Sequence, residues 1–335
     1  MNRIEEKNKQ AITMVSIKSF TDLLITDLLV SGRHSTARSY SCSLKRLTDF
    51  VGDANLTFPK LTAELLKCFE QQLFSENCAR NTVSSYMRML RSICNQARNC
   101  GKAKIPRGLF DNVFTGTDPS EKRAVSPGVI RSLSEADLSA SPQLDFCRDL
   151  FLLSFYLRGI PFVDLIHLRK RDITNGTLRY RRSKTDRLLT VKVEPCAQAL
   201  FNKYSCLAKH SPYLLPVITS SGIAGYRQYQ SALRRYNQHL ARLSVLLRLK
   251  MKLTSYVARH SWATIAYRQG IPVSVISESL GHASEKITYT YLASFDNRTL
   301  NRANRKVIAL VAPMPSVATV MGKRKAFQQN PVNYG

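Results

Sequence analysis

The sequence predicts a mainly α-helical protein with one small β-sheet, organised as two domains joined by a polar linker. Three observations predict it. Apolar residues recur at helical spacing over most of the chain, and alternation of β-favouring types is confined to one segment, Gly176 to Val193. Between Gly101 and Pro127 the periodicity fails, and Gly108, Gly116, Thr117, Asp118, Pro119, Lys122 and Arg123 collect instead. A length of 335 residues suits roughly two domains.

In chain order, residues 1–16 are polar and charge-mixed and read as a tail. Residues 17–100 hold four helices. Phe20 to Leu29 forms the first. Ala37, Tyr40, Leu44, Leu47 and Val51 form a stripe after Ser35 as N-cap; Leu61, Leu65, Phe69 and Leu73 form another. Val83, Tyr86, Met87, Leu90, Ile93, Cys94 and Ala97 follow Asn81. The polar faces carry Arg38, Lys45, Arg46, Arg80, Arg88, Arg91 and Arg98, a distribution suited to phosphates as well as to water. Residues 101–127 are the linker. The second domain, 128–312, opens with helices around Gly128–Leu133 and Gln143–Leu157. Leu178 and Tyr180 then precede a polar turn, Arg181 to Asp186, followed by Leu188, Leu189, Val191 and Val193. Helical pattern returns over 226–249, 255–269, 273–280 and 298–310, and 313–335 reads as a flexible tail.

Fifty Lys+Arg against 23 Asp+Glu leave a formal charge of +27, which calls for a polyanionic partner. With 44% hydrophobic residues and only 14 Gly and 13 Pro, disorder and collagen-like repeats are excluded. No apolar run approaches the ~20 residues of a membrane span, so a soluble, cytoplasmic protein is expected, without a membrane partner. Eight scattered Cys, with no C-x-x-C pair, read as reduced thiols rather than a disulfide or zinc framework, and no metal or cofactor is expected.

The segment Leu253–Phe295 concentrates Tyr256, Arg259, His260, Trp262, His282, Tyr289 and Tyr291. Arg259 falls on a helix after Thr254 and Ser255. Gly281 permits a tight turn at the end of a second helix, and Tyr291 follows His282 by nine residues (291 minus 282). This set resembles the tyrosine recombinases, or phage-type integrases. Ser255-Tyr-Val-Ala-Arg259-His-Ser-Trp-Ala-Thr264 is similar to the box of that family's second catalytic arginine, and Leu280-Gly-His282 with Tyr291 has its histidine-to-nucleophile spacing. Arg181-Arg-Ser-Lys184-Thr185 resembles the hairpin presenting its lysine, and Tyr156-Leu-Arg158-Gly-Ile-Pro-Phe-Val-Asp164-Leu the box of its first arginine. The resemblance covers residues 17–310. It implies a helical core-site DNA-binding domain ahead of a tyrosine-recombinase-like catalytic domain, with Arg158, Lys184, Tyr256, Arg259, His282 and Tyr291 as site residues.

The chemistry unites such residues. A tyrosine hydroxyl attacking a phosphodiester conserves the bond energy as a 3′-phosphotyrosine, so resealing needs no ATP. Planar guanidinium forks suit the non-bridging oxygens, a lysine can protonate the departing 5′-oxygen, and a histidine can add a hydrogen bond. Two positions depart from the family pattern. Tyr256 stands where a histidine is usual, and a phenol of pKa near ~10 is a poor base at neutral pH. Pro161 stands at the usual first-arginine position, with Arg158 three residues earlier, where one helical turn would return it to nearly the same face. Relatives with such a displaced arginine look like integrases of mobile elements and invertible DNA.

The resemblance also implies double-stranded DNA as partner, a homotetramer on DNA linked by the segment Asn297–Ala312, and accessory DNA-bending proteins. Expected activity is integration, excision or inversion. A type IB topoisomerase-like nickase and a catalytically lapsed DNA-binding regulator are the alternatives. Tyr289 rivals Tyr291 as nucleophile, and His260 reads as a core or supporting histidine.

Overall fold

The computed structural model describes residues 15–118, 123–292 and 297–311. The expected tails therefore lie outside the described residues, apart from Val15 and Ser16.

The first domain packs four helices, α1 (Ile17–Val30), α2 (His34–Val51), α3 (Ala63–Ser75) and α4 (Arg80–Asn99). Side-chain caps start two of them. The Ser16 hydroxyl accepts from the Ser19 amide, and Thr62 Oγ1 accepts from the Leu65 amide at 3.1 Å. The caps expected at Ser35 and Asn81 are not caps; both residues lie inside the first turns of α2 and α4. Asn81 is used otherwise. Its Nδ2 donates to the Asp118 carbonyl at 3.0 Å and its Oδ1 accepts from the Asp118 amide at 2.8 Å, clasping the irregular segment that follows the first core to α4. Leu47, Leu66, Leu73, Val83, Met87 and Ile93 are fully buried, as the stripes require.

Part of the segment read as linker belongs to this core. Ala103, Ile105, Leu109, Phe110 and Val113 are buried in it, and the Phe114 amide donates to the buried Glu70 carboxylate at 2.6 Å. Sparse apolar residues among Gly and Pro carry no periodicity, so composition alone hid this packing. Val125 already belongs to the second core, its amide donating to Ser261 Oγ at 2.9 Å.

The second domain comprises α5 (Pro127–Glu135), α6 (Pro142–Tyr156), α7 (Phe162–His167), β1 (Ile173–Thr174), β2 (Thr177–Arg181) and β3 (Leu188–Lys192). It continues with α8 (Pro195–Tyr204), α9 (Gly222–Leu246), α10 (Val257–Arg268), α11 (Val273–Leu280), α12 (Glu285–Tyr289) and α13 (Asn297–Ala309). The strands form one antiparallel sheet in the order β1-β2-β3, with Tyr180 opposite Leu189. Helix α6 is buried on successive positions, Leu150, Phe151, Leu152 and Leu153, because α8, α9 and α10 cover it from different sides. A polar network locks its first turns. Arg148 pairs with Asp145 and Asp149 and donates to the carbonyls of Leu133 and Ala136, while Asp149 accepts from Lys203 Nζ and the Tyr204 hydroxyl, each at 2.6 Å. Every charge in that network has a partner, as burial demands. Helix α13, by contrast, exposes Leu300, Val307 and Ile308.

Candidate active site

Three loops and one helix converge around Arg259. Helix α10 directs this residue into the domain, where it is only 2% exposed. Its Nη1 donates to the Gly159 carbonyl at 2.8 Å and its Nη2 to the Leu280 carbonyl at 2.6 Å. The approach of the α6–α7 loop depends on glycine: Gly159 has φ +68°, and a Cβ there would stand 2.8 Å from the Arg259 Cα. Helix α10 does not begin on the expected Thr254/Ser255 cap. Tyr256 occupies the cap position, and the Ser255 amide donates to Asn237 Oδ1 at 2.9 Å, tying the helix start to α9.

His282 follows Gly281, which ends α11 in the left-handed region at φ +64°. The imidazole is 3% exposed. Arg259 Nη2 lies 2.9 Å from His282 Nε2, and His282 Nδ1 lies 2.8 Å from Thr288 Oγ1. A guanidinium can only donate, so Nε2 accepts and Nδ1 carries the proton. Burial, then the charges of Arg259, Arg182 and Lys184, push the pKa down to about 3. The ring is neutral at physiological pH.

Tyr291 is half-buried, and its ring is held between two imidazoles: His260 at 4.6 Å and His282 at 4.9 Å between ring centroids. The Arg259 guanidinium carbon stands 5.6 Å from the same ring. The Tyr291 amide donates to the Thr288 carbonyl at 2.8 Å, so Thr288 braces both the histidine and the tyrosine. Tyr289, two residues earlier, is 54% exposed. Tyr256 lies near this group. Partial burial of its hydroxyl and then the Tyr291 phenol raise its pKa above the ordinary value, although half of the residue is exposed, and Arg259 and Arg182 oppose the shift. It stays a protonated hydrogen-bond donor.

Lys184 is exposed at the tip of the β2–β3 turn, where sequence placed it, close enough for its charge to reach His282. The turn is pinned from three sides. The buried Asp164 carboxylate accepts from the Ser183 amide at 3.0 Å, Arg182 Nη1 donates to the Gly281 carbonyl at 2.8 Å, and Arg187 Nη1 to the His282 carbonyl at 3.0 Å.

Arg182 was not foreseen as a site residue. It is 5% exposed and its charge is felt at Arg259, His282 and Tyr256. The signal was in the alternation: Leu178, Tyr180 and Arg182 share the inward phase of β2. Among the described residues, neither Arg182 nor Arg259 has a carboxylate within 4 Å.

Arg158 differs from the expected geometry. Helix α6 ends at Tyr156, Arg158 itself adopts φ +58°, and Pro161 caps the next helix, so no helical face relates the two positions. Arg158 is half-buried, its Nη1 donating at 3.4 Å to the Thr190 carbonyl. Its charge still reaches the Tyr180 phenol, as do those of Arg259 and Arg182.

Between the domains runs a cleft of about 730 Å³, lined by Arg38, Asn81 and Ser85 on one wall and by Tyr226, Gln230 and Arg234 of α9 on the other. The His34 ring stacks on Tyr226 at 4.9 Å at its edge. Of the basic residues expected to face phosphates, Arg38 lines this cleft. Arg46 pairs with Glu76 instead, and Arg80 pairs with Asp118 and lies 4.2 Å over the Phe114 ring.

Residues 16–107 match the model described as phage integrase SAM-like domain, and residues 133–298 the model described as phage integrase family. Tyrosine recombinase XerA of Pyrococcus furiosus is 26% identical over 196 residues, 53% of this chain and 64% of that protein. This chain thus matches less than two thirds of that relative's length. Among solved structures, a lambda integrase dimer bound to a COC′ core site superposes with a TM-score of 0.62 at 14% identity, covering 87% of this chain and 82% of that one. The Tn1549 transposon integrase in complex with a circular intermediate DNA gives 0.57 at 11% identity, covering 88% and 99%. XerH site-specific recombinase bound to difH substrate gives 0.56 at 18%, covering 80% and 78%. The likeness extends over both domains, and the chain belongs to the phage integrase family of tyrosine recombinases.

Proposed function

We propose that this protein is a site-specific recombinase that cuts and rejoins double-stranded DNA through a 3′-phosphotyrosine at Tyr291. The observation that carries this reading is a phenol docked against a buried guanidinium that has no carboxylate within 4 Å among the described residues, beside a neutral, tautomer-fixed histidine. A buried cation without an acidic partner costs desolvation unless an anion joins it, and the +27 charge of the chain points to phosphate as that anion.

In the reaction, the Tyr291 oxygen attacks phosphorus and the bond from phosphorus to the 5′-oxygen breaks. Lys184 gives its proton to that departing oxygen, and the phenolic proton passes to water, because His282 Nε2 is engaged by Arg259. Arg259 neutralises the non-bridging oxygens, and Tyr256 donates a hydrogen bond to one of them. Arg158, at the rim, contacts the neighbouring backbone. Attack by a 5′-hydroxyl on the phosphotyrosine reverses these steps and joins the strands. The cleft between Arg38 and Arg234 receives the duplex once the domains part. The exposed apolar residues of α13, Leu300, Val307 and Ile308, support a segment that packs on a neighbouring protomer, and hence a tetramer on two bound sites of a mobile element.

A nicked duplex that loses its short 5′-terminal fragment on cleavage tests this. A covalent adduct, mapped by mass spectrometry to Tyr291 and lost in Tyr291→Phe, is the expected result. Tight binding without any adduct favours the lapsed regulator, a reading encouraged by Pro161 and Tyr256. An adduct that relaxes supercoils but never joins two duplexes favours the nickase.

A further inference from the structure

We propose that Arg182, on the β2–β3 hairpin, is the second guanidinium that grips the scissile phosphate, completing with Arg259 the pair that Pro161 leaves unfilled. This inference rests on the strand-transfer reading above and assigns to that site a residue that neither its motif spacing nor the displaced Arg158 supplies.

The argument begins with what surrounds the two buried guanidinium groups. Arg182 is 5% exposed and Arg259 2%, yet no carboxylate among the described residues lies within 4 Å of either. Arg148, the other buried arginine among the described residues of this domain, shows the contrast: it is flanked by Asp145 and Asp149. Arg182 donates from Nη1 to the Gly281 carbonyl, and Arg259 donates to the carbonyls of Gly159 and Leu280. These neutral acceptors orient the forks without cancelling their charge. The Nε–H of each group is buried with no hydrogen-bond partner, so each retains an unmet donor. Two like charges burdening one another, each with a spare donor, form a site that lacks one anion. Tyr291 and His282 adjoin it.

Arg158 lacks these features. It is half-buried, sits in the left-handed region outside any helix, and makes one long contact to Thr190. The rival role for Arg182 is a pin that merely docks the hairpin on Gly281.

Substrate charge separates the two roles. With the scissile phosphate as an ordinary diester, Arg182→Ala is expected to lower single-turnover adduct formation at least ~10²-fold, the loss typical of one transition-state donor. With a neutral methylphosphonate at that position there is less charge to neutralise, and the variant should regain most of the wild-type rate on that substrate. Arg158→Ala, which removes a contact to the neighbouring backbone, should lower the rate alike on both substrates with no methylphosphonate rescue, and Arg182→Lys should lie between wild type and Arg182→Ala. Thermal melting confirms that each variant folds. Calorimetric titration of the DNA-free protein with inorganic sulfate gives a readout independent of turnover: Arg182→Ala should weaken sulfate binding at least ~10-fold and Arg158→Ala should not. Equal loss on diester and methylphosphonate in a folded Arg182→Ala, or unchanged sulfate binding, overturns the proposal in favour of a pin. Rescue of Arg158→Ala instead overturns it in favour of Arg158. Wild-type protein that binds sulfate through Arg182 yet forms no adduct would leave the anion site standing and remove the recombinase reading.

Discussion

Arg259 Nη2 donates to His282 Nε2 across 2.9 Å, which commits the imidazole to one tautomer and turns its proton toward Thr288. The histidine is therefore a neutral acceptor in the DNA-free protein. A bound phosphodiester would meet the spare Nε–H of Arg259, leave the Nη2–His282 hydrogen bond in place, and by its negative charge raise the His282 pKa.

That arrangement makes stability depend on pH. The folded-state pKa of His282, about 3, lies below the unfolded value near ~6.5, so the unfolded chain binds the proton first as pH falls. The contribution is intact above pH ~6.5 and erodes as pH drops toward the folded pKa. Between pH 6.5 and 5 the loss should be about 1–2 kcal/mol, at a slope no steeper than about 1.4 kcal/mol per pH unit. Denaturant melts of wild type and His282→Gln over that window check this, because the glutamine variant should show the shallower slope.

Lys184 is expected to act on the leaving group rather than on the phosphate. Lys184→Ala should cut cleavage of an ordinary duplex by about 10²–10⁴-fold, the usual worth of a positioned acid. Replacing the bridging 5′-oxygen by sulfur removes the need for that proton, since a thiolate departs unaided. Single-turnover rates on both substrates check the assignment; equal defects on oxygen and sulfur would make Lys184 a backbone contact only.

Gly159→Ala should be among the costlier single changes in the protein. The left-handed backbone costs an L-residue about 1–2 kcal/mol, and the added methyl would meet the Arg259 backbone at 2.8 Å rather than a side chain that could yield. With overpacking the expected loss is about 2–4 kcal/mol, measured by chemical denaturation. Gly281→Ala should cost less, because a methyl there meets side-chain atoms, Leu189 Cδ1 at 3.0 Å and Arg182 Cδ at 3.3 Å, rather than backbone.

How much of this was legible in sequence follows from the range of the forces involved. Helices α2, α4 and α11 were readable because one apolar stripe sets each, and the β2–β3 hairpin because alternation breaks at a polar turn. Arg259, His282 and Tyr291 were found by spacing, and the structure brings them together. Arg182 is hidden in the sequence because a run of basic residues around Lys184 reads as a solvated turn unless the phase of β2 is carried one residue past its end. The placement of Arg158 is not legible because the end of α6 depends on left-handed residues 158 and 159, and an arginine gives no local sign of that conformation. The core role of 103–113 depends on contacts with α3 and α4, which no window along the chain reveals.

Asp164 gives the last prediction. Its carboxylate, 4% exposed at the start of α7, accepts from the Ser183 amide and hydroxyl and so fixes the residue preceding Lys184. Removing it adds one net positive charge near the site, and simple charge counting would have DNA binding and cleavage both improve. The tether predicts a split instead. Asp164→Ala should leave DNA affinity equal or slightly tighter at fixed salt, while single-turnover adduct formation falls about 10-fold as Lys184 loses its fixed approach to the 5′-oxygen. Asp164→Asn, which keeps one acceptor for Ser183, should recover part of the rate. The defect should shrink on the sulfur-bridged duplex, where the lysine proton is not required. A variant that cleaves both duplexes at the wild-type rate would show that the hairpin holds its shape through Arg182 and Arg187 alone.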